Sequence, residues 1–198
     1  MEAKRSASAV VLNSRNKQMK LNRLIILLIW LFASCQHAHA QRSESPRLTE
    51  RETSLLFGEL KEIRVFGIIA VSLVGDANKI GLDEDDVTDH AKARFKKYFG
   101  EKKLEDISKD SAKFLNLVSS RDKSVGNITF RVWVIGDDYP VAYHVRCEAG
   151  NFSNPSIWTD EVLGHGSRET TPQAIRDILD EMMKVLSAAF LKIHGQSM

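Results

Sequence analysis

The sequence predicts an α+β fold: a mainly antiparallel sheet of four or five strands with two long amphipathic helices packed on one of its faces. Three observations carry that expectation. The stretch Val125 to Gly166 reads as three consecutive strands (VGNITFRVWVIG, YPVAYHVRCEAGNF, SIWTDEVLGHG) separated by turn residues. Two other stretches, after Asp83 and after Thr171, repeat apolar residues at spacings of three and four. The composition, 43% hydrophobic and 27% charged over 198 residues, is that of one ordinary globular domain with extra segments.

The extra segments come first. Leu24 to Ala33 is an unbroken apolar run of ten residues, preceded by Lys17, Lys20 and Arg23 and followed by Ala38-His39-Ala40. A basic region, a short apolar core and an A-x-A site predict a signal peptide over 1–40, with cleavage before Gln41. A run of ten is too short to span a bilayer, which needs about 20 apolar residues, so no permanent membrane span is expected after cleavage. Translation from Met19 would give a leader of ordinary proportions. Lipid anchoring through Cys35 is the weaker reading, because Phe32 stands where a lipobox usually has Leu. The expected destination is therefore export, periplasmic or secreted.

Removing that leader reverses the charge balance. Of 28 basic and 26 acidic side chains, residues 1–40 hold six and one, leaving 22 against 25 and a net charge of −3. A nucleic-acid partner, which calls for a basic stripe or domain, is not expected. Cys147 is then the last cysteine, so no disulfide can form within the processed chain, and its place on an apolar strand face predicts a buried thiol.

Residues 41–52 (QRSESPRLTERE) are polar, charged and interrupted by Pro46, a disordered linker leading to a single domain over 53–198. Thr53 to Lys61 has room for a helical turn or two. Ile63 to Leu73 is β-branched and almost continuously apolar, which predicts a central strand buried on both faces. The loop after it opens like a calcium-binding loop with Asp76, Asn78 and Gly81, but Ile80 and Val87 occupy positions that need oxygen ligands. Asp83 is an N-cap, Glu84, Asp85 and Asp86 complement the helix dipole, and Val87, Ala91, Phe95, Tyr98 and Phe99 make one apolar stripe before Gly100. A short strand near Leu104 and a helix over Asp110 to Leu117 follow.

Within the strand-rich block the side-chain period is two. Ile128, Phe130, Val132 and Val134 share one face, and Thr129, Arg131 and Trp133 the other; Val141, Tyr143, Val145 and Cys147 alternate with Ala142, His144 and Arg146. With Asp137-Asp138 as the hairpin loop, Arg131 lies opposite His144 and Thr129 opposite Arg146. Thr171 as N-cap and Pro172 at N1 open the last helix, whose stripe of Ile175, Ile178, Leu179, Met182, Leu186, Ala189, Phe190 and Ile193 should lie on the sheet.

Several stretches in this order, LLFGELKEIRVFGIIAVSL, GLDEDDVTDHAKARFKKYF, the paired strands, SIWTDEVLGHG and the closing helix, resemble a family of secreted bacterial α+β proteins of unknown function. The resemblance implies export and this fold, and supplies no catalytic residues.

No G-x-S-x-G, Gly-rich phosphate loop, H-x-x-x-H or C-x-x-C is present after the leader. No cofactor is expected. The best functional reading is an exported, non-enzymatic binding or envelope-associated module whose partner, a protein or another envelope component, meets the sheet face bearing Arg131, Trp133, His144 and Arg146. The alternative is a small exported hydrolase with a site assembled from Glu148, Asp160 and His165. Asn127-Ile128-Thr129 and Asn151-Phe152-Ser153 match the glycosylation triplet.

Overall fold

The structure is a computed structural model that describes residues 57–195, apart from the side chain of residue 102. The expected signal peptide over 1–40, the start at Met19, Cys35 and the 41–52 linker lie outside the described residues. A 3-10 turn at Gly58–Glu62 leads into β1 (Val65–Gly75); then come α1 (Glu84–Phe99), α2 (Ser111–Ser120), β2 (Val125–Ile135), β3 (Val141–Asn151), β4 (Trp158–Gly166) and α3 (Thr171–Ile193). The fold is α+β, with a four-stranded sheet in the order β1-β2-β3-β4.

The sheet is mixed, with two of its three pairings antiparallel, and its first strand is not central as expected. β2–β3 and β3–β4 are antiparallel, but β1 pairs with β2 in parallel and stands at one end of the order. A parallel pair needs a long crossover, and the connection from β1 to β2 contains both α1 and α2. The near-continuous apolar run of β1 has a local cause instead. Its register with β2 shifts between Phe66 and Ile68, and Leu104 bridges to Phe66 from the open side. There Glu105 N–H donates to Phe66 O at 2.8 Å and Ile107 N–H to Gly67 O at 2.9 Å. The start of β1 is thus hydrogen-bonded along both of its edges although the strand ends the sheet. The strand expected near Leu104 is this single bridge.

The hairpin register differs from the expected one by two residues. Arg131 lies opposite Arg146, Trp133 opposite His144, and Thr129 opposite Glu148. Asp137-Asp138 is not a two-residue loop; Gly136 has φ +90° and Pro140, which has no N–H to give a ladder, follows, so pairing begins only at Ile135 and Ala142. A shift of two keeps each residue on its face, so the face assignment stands while the partners change.

One face of the sheet is the core. α1 packs on β1, α3 on β3 and β4, and the two helices on each other. Ile69, Val71, Phe130, Val132, Val134, Val145 and Cys147 are buried beneath them. Phe66, Phe95, Phe99 and Phe190 form an aromatic cluster, with Phe95 and Phe99 stacked at 4.4 Å and Phe66 edge-on to Phe95 at 5.2 Å. α1 is built as its sequence directs: Asp83 accepts from the N–H groups of Asp85 and Asp86, and Gly100 closes the helix at φ +85°. α3 begins one residue earlier than its Pro suggests. Thr170 is the N-cap, and Thr171, fully buried, donates its hydroxyl to Ser167 O at 2.7 Å. Thr171 is thus the first residue of the helix and not its cap, and its hydroxyl ties the helix start to the preceding turn.

α2 spans Ser111–Ser120, capped by Asp110, whose carboxylate accepts from Lys113 N–H at 2.9 Å. It is a third, shorter helix beside the two long ones.

Candidate functional site

The second face of the sheet carries the four residues singled out above. Residues 57–62, which include the described part of the Thr53 to Lys61 segment, do not cover it: Leu60 and Ile63 are buried in the core, and Gly58–Glu62 packs against α3. Strand period therefore delivers Arg131, Trp133, His144 and Arg146 to an open surface.

They form one contiguous group. The rings of Trp133 and His144, directly opposite each other on β2 and β3, stack at 5.0 Å with an interplanar angle of 14°. The Arg131 guanidinium lies over the Trp133 ring at 5.6 Å, a cation–π contact along β2. Arg131 and Arg146 are cross-strand partners, a placement of like charges that costs stability unless something balances it. Glu148 balances one of them, with Arg146 Nη2 donating to its Oε1 at 2.7 Å. Glu161 on β4 sits 3.4 Å from His144 Nε2. Arg131 is exposed and has no carboxylate partner among the described residues. Ala70 and Ser72 of β1 flank Thr129 and Arg131, so small side chains leave that guanidinium open on one side.

Sequence reasoning missed Glu161 as a member of this face. The signal was present: Trp158 and Val162 are buried, so Thr159, Glu161, Leu163 and His165 take the other face by parity.

The hydrolase alternative does not assemble. Glu148 faces outward opposite Thr159, whereas His165 lies opposite Ala142, six residues farther along β3. At about 3.3 Å per residue the two are roughly 20 Å apart, well beyond hydrogen-bond reach. Asp160 shares its face with Trp158 and Val162, on the helix side of the sheet. Glu148 is instead the counterion of Arg146 and also accepts from Ser156 Oγ at 3.2 Å.

Other polar groups have structural duties. Asp76, the first residue of the calcium-like loop, accepts from Gly136 N–H at 2.9 Å and pairs with Lys79 at 2.8 Å, tying the end of β1 to the hairpin loop. Among the described residues no three His, Cys, Asp or Glu side chains gather as a metal site would require. Cys147 is fully buried, and burial pushes its thiol well above the ordinary range, with the Asp160 and Glu148 carboxylates adding to the effect. Asn151 of the second glycosylation triplet is also fully buried; its Oδ1 accepts from the N–H groups of Ser153 and Asn154, which makes it a turn residue of the folded chain.

Between α1 and α3 runs a polar seam. Asp180 accepts from the Tyr98 hydroxyl at 2.8 Å and lies 3.6 Å from Arg94 Nε. His90 stands at the same seam with its Nε2 buried and without a hydrogen-bond partner among the described residues. Burial lowers its pKa and the Arg94 cation adds to this, against the Arg176 main chain and Asp180.

No protein-family model matches the chain, and no curated protein matches it. Among solved structures, the PelC dodecamer from Paraburkholderia phytofirmans is similar at 12% identity and a TM-score of 0.38, over 82% of this chain and 100% of that one. A single-substitution variant of the same dodecamer is similar at 11% identity and a TM-score of 0.41, over 77% of this chain and 98% of that one. Likeness at this level assigns no activity, partner or assembly to this chain.

Proposed function

We propose that the protein is an exported, non-enzymatic binding module that holds an anionic component of the cell envelope on the open face of its sheet. The observation that carries this reading is the Arg131–Trp133–His144–Arg146 group. It presents two guanidiniums side by side on a rigid sheet, and Arg131 is without a described counterion. Planar guanidinium groups over or beside aromatic rings suit a carboxylate, phosphate or sulfate group with an adjoining flat or apolar portion. Attachment to sheet strands fixes their geometry better than a loop would. Export rests on the amino-terminal sequence.

The test is capture from envelope extract by the immobilised protein, comparing wild type with Arg131→Ala combined with Trp133→Ala. Both substitutions lie on the open face, so the folded state should persist while capture is lost. Unchanged capture by the folded double variant would remove the basis of the proposal.

A further inference from the structure

The two edges of the sheet are finished differently. At β1, the N–H groups of Glu105 and Ile107 bond Phe66 O and Gly67 O from outside, and farther along Leu73 N–H donates to Glu84 Oε2 at 3.1 Å. At the other end of the order, β4 pairs with β3, and among the described residues no main-chain hydrogen bond reaches it from outside. Its nine residues contain no Lys and no Pro, and its ladder with β3 has no register shift, so these common protections of a sheet edge are missing.

The phase of the ladder says which groups point outward. Val134 O is spent on the β1 side, where it accepts from Asp76 N–H. Alternation then turns Ile135 and its partner Ala142 toward each other, and Val141 and its partner Gly166 toward each other in the next pair. Gly164, Val162 and Asp160 face β3 in the same way. The main-chain groups of Thr159, Glu161, Leu163 and His165 therefore point away from the sheet. Their side chains stand on its open face, with Leu163 63% exposed.

This edge is complementary to itself. Glu161 and His165 lie at equal spacing on either side of Leu163. An antiparallel pairing of β4 with β4 of a second copy, centred on Leu163, sets Leu163 opposite Leu163 and Glu161 opposite His165, the latter twice. On the helix side Val162 then faces Gly164, and Asp160 faces Gly166, so the charge that β4 turns that way meets no opposing side chain. Sliding the pairing by two residues loses the match, since Glu161 then falls opposite Leu163, or Leu163 opposite His165.

We infer that β4 is a dimerisation edge, through which a second copy of this chain joins in the Leu163-centred register and the two four-stranded sheets become one. The twofold axis of such a pair is perpendicular to the sheet. Both open faces, each with its Arg131, Trp133, His144 and Arg146, lie on the same side of the joined sheet. The inference rests on the strand edge and does not depend on the sheet-face reading.

The test is sedimentation equilibrium of the full chain, which should give a dimer that dissociates on dilution. Leu163→Lys sets two cations against each other at the axis; Glu161→Lys and His165→Glu each replace a matched pair by like charges, twice per dimer. Each should weaken dimerisation by about tenfold or more while circular dichroism stays that of the folded protein. Glu161→Lys combined with His165→Glu should restore it, because in this register each position faces the other. With Cys35→Ser, Leu163→Cys should give a disulfide-linked dimer on mild oxidation, since directly opposite residues of a hydrogen-bonded pair have Cα atoms about 5.5 Å apart. Ile135→Cys on β2 should not, and Cys147 is buried. A monomer at every concentration, a dimer unaffected by Leu163→Lys, a double variant as weak as its single parents, or an Ile135→Cys crosslink as efficient as that of Leu163→Cys would each overturn the inference.

Discussion

The two faces of the sheet are made from the same strands and have opposite chemistry. On the helix side, Val132 and Val145 are fully buried and Phe66, Phe95, Phe99 and Phe190 pack ring to ring. On the open side, one residue along from Val132, Arg131 and Trp133 face outward beside His144 and Arg146. A strand has no choice but to alternate, so stability and recognition can be assigned to successive residues of a single segment. The comparison teaches that substitutions at adjacent positions should separate folding from binding.

The helix side should give the largest effects. Phe95 is fully buried and touches Phe66 and Phe99, so Phe95→Ala should cost about 3–5 kcal/mol of unfolding free energy, measured by urea denaturation. A loss below about 1 kcal/mol would mean that the aromatic cluster is not the centre of the core. Next in size is Gly150→Ala at the end of β3. An added Cβ there would stand 2.2 Å from Asn154 O and 2.4 Å from the Pro155 carbonyl carbon, main-chain atoms that cannot move without opening the turn after β3. The variant should lose about 2–3 kcal/mol in the same assay, within the range of overpacked sites.

How far the sequence reveals this division depends on the range of the signal. Period-two alternation placed Arg131, Trp133, His144 and Arg146 on the face opposite Val132 and Val145 because parity is local and survives a register error. The partners across the hairpin were not legible, since loop length depends on how Gly136 to Pro140 turns. The parallel pairing of β1 was hidden for a related reason: an apolar run such as IRVFGIIAVSL looks the same whether neighbouring strands or the Leu104 to Ile107 segment cover it. Asp83 and Gly100 announced the ends of α1 because capping involves only nearby atoms. The separation of Glu148 from His165 depends on strand register, a long-range property that no motif encodes.

The α1–α3 seam predicts a smaller, pH-dependent effect. The pKa of His90 is lowered in the folded protein, so the unfolded chain binds the extra proton more readily. The stability this protects is fully present above the ordinary histidine value near 6.5 and declines as pH falls below it, with Arg94 and Arg176 opposing the new charge and Asp180 favouring it. Thermal midpoints recorded from pH 7.5 to 5 should fall less steeply for His90→Gln than for wild type. Identical slopes would place the acid sensitivity elsewhere. Asp106 acts in a more acidic window: burial raises its carboxyl, but hydrogen bonds from Lys92 and Ser108 outweigh that and hold it at about 2. Its contribution is present above the unfolded value near 3.8 and fades as pH falls toward 2, so Asp106→Asn should change stability at neutral pH and leave it almost unaltered near pH 2.

The division of labour between the faces is tested most directly by Val132→Ala and Trp133→Ala, neighbours in β2, each assayed for unfolding free energy and for capture of envelope components. Val132→Ala should lose about 2 kcal/mol and retain capture under conditions where it remains folded, whereas Trp133→Ala should lose about 1 kcal/mol or less and capture poorly. A Trp133→Ala protein that is the less stable of the two, or that captures as wild type does, would contradict the account.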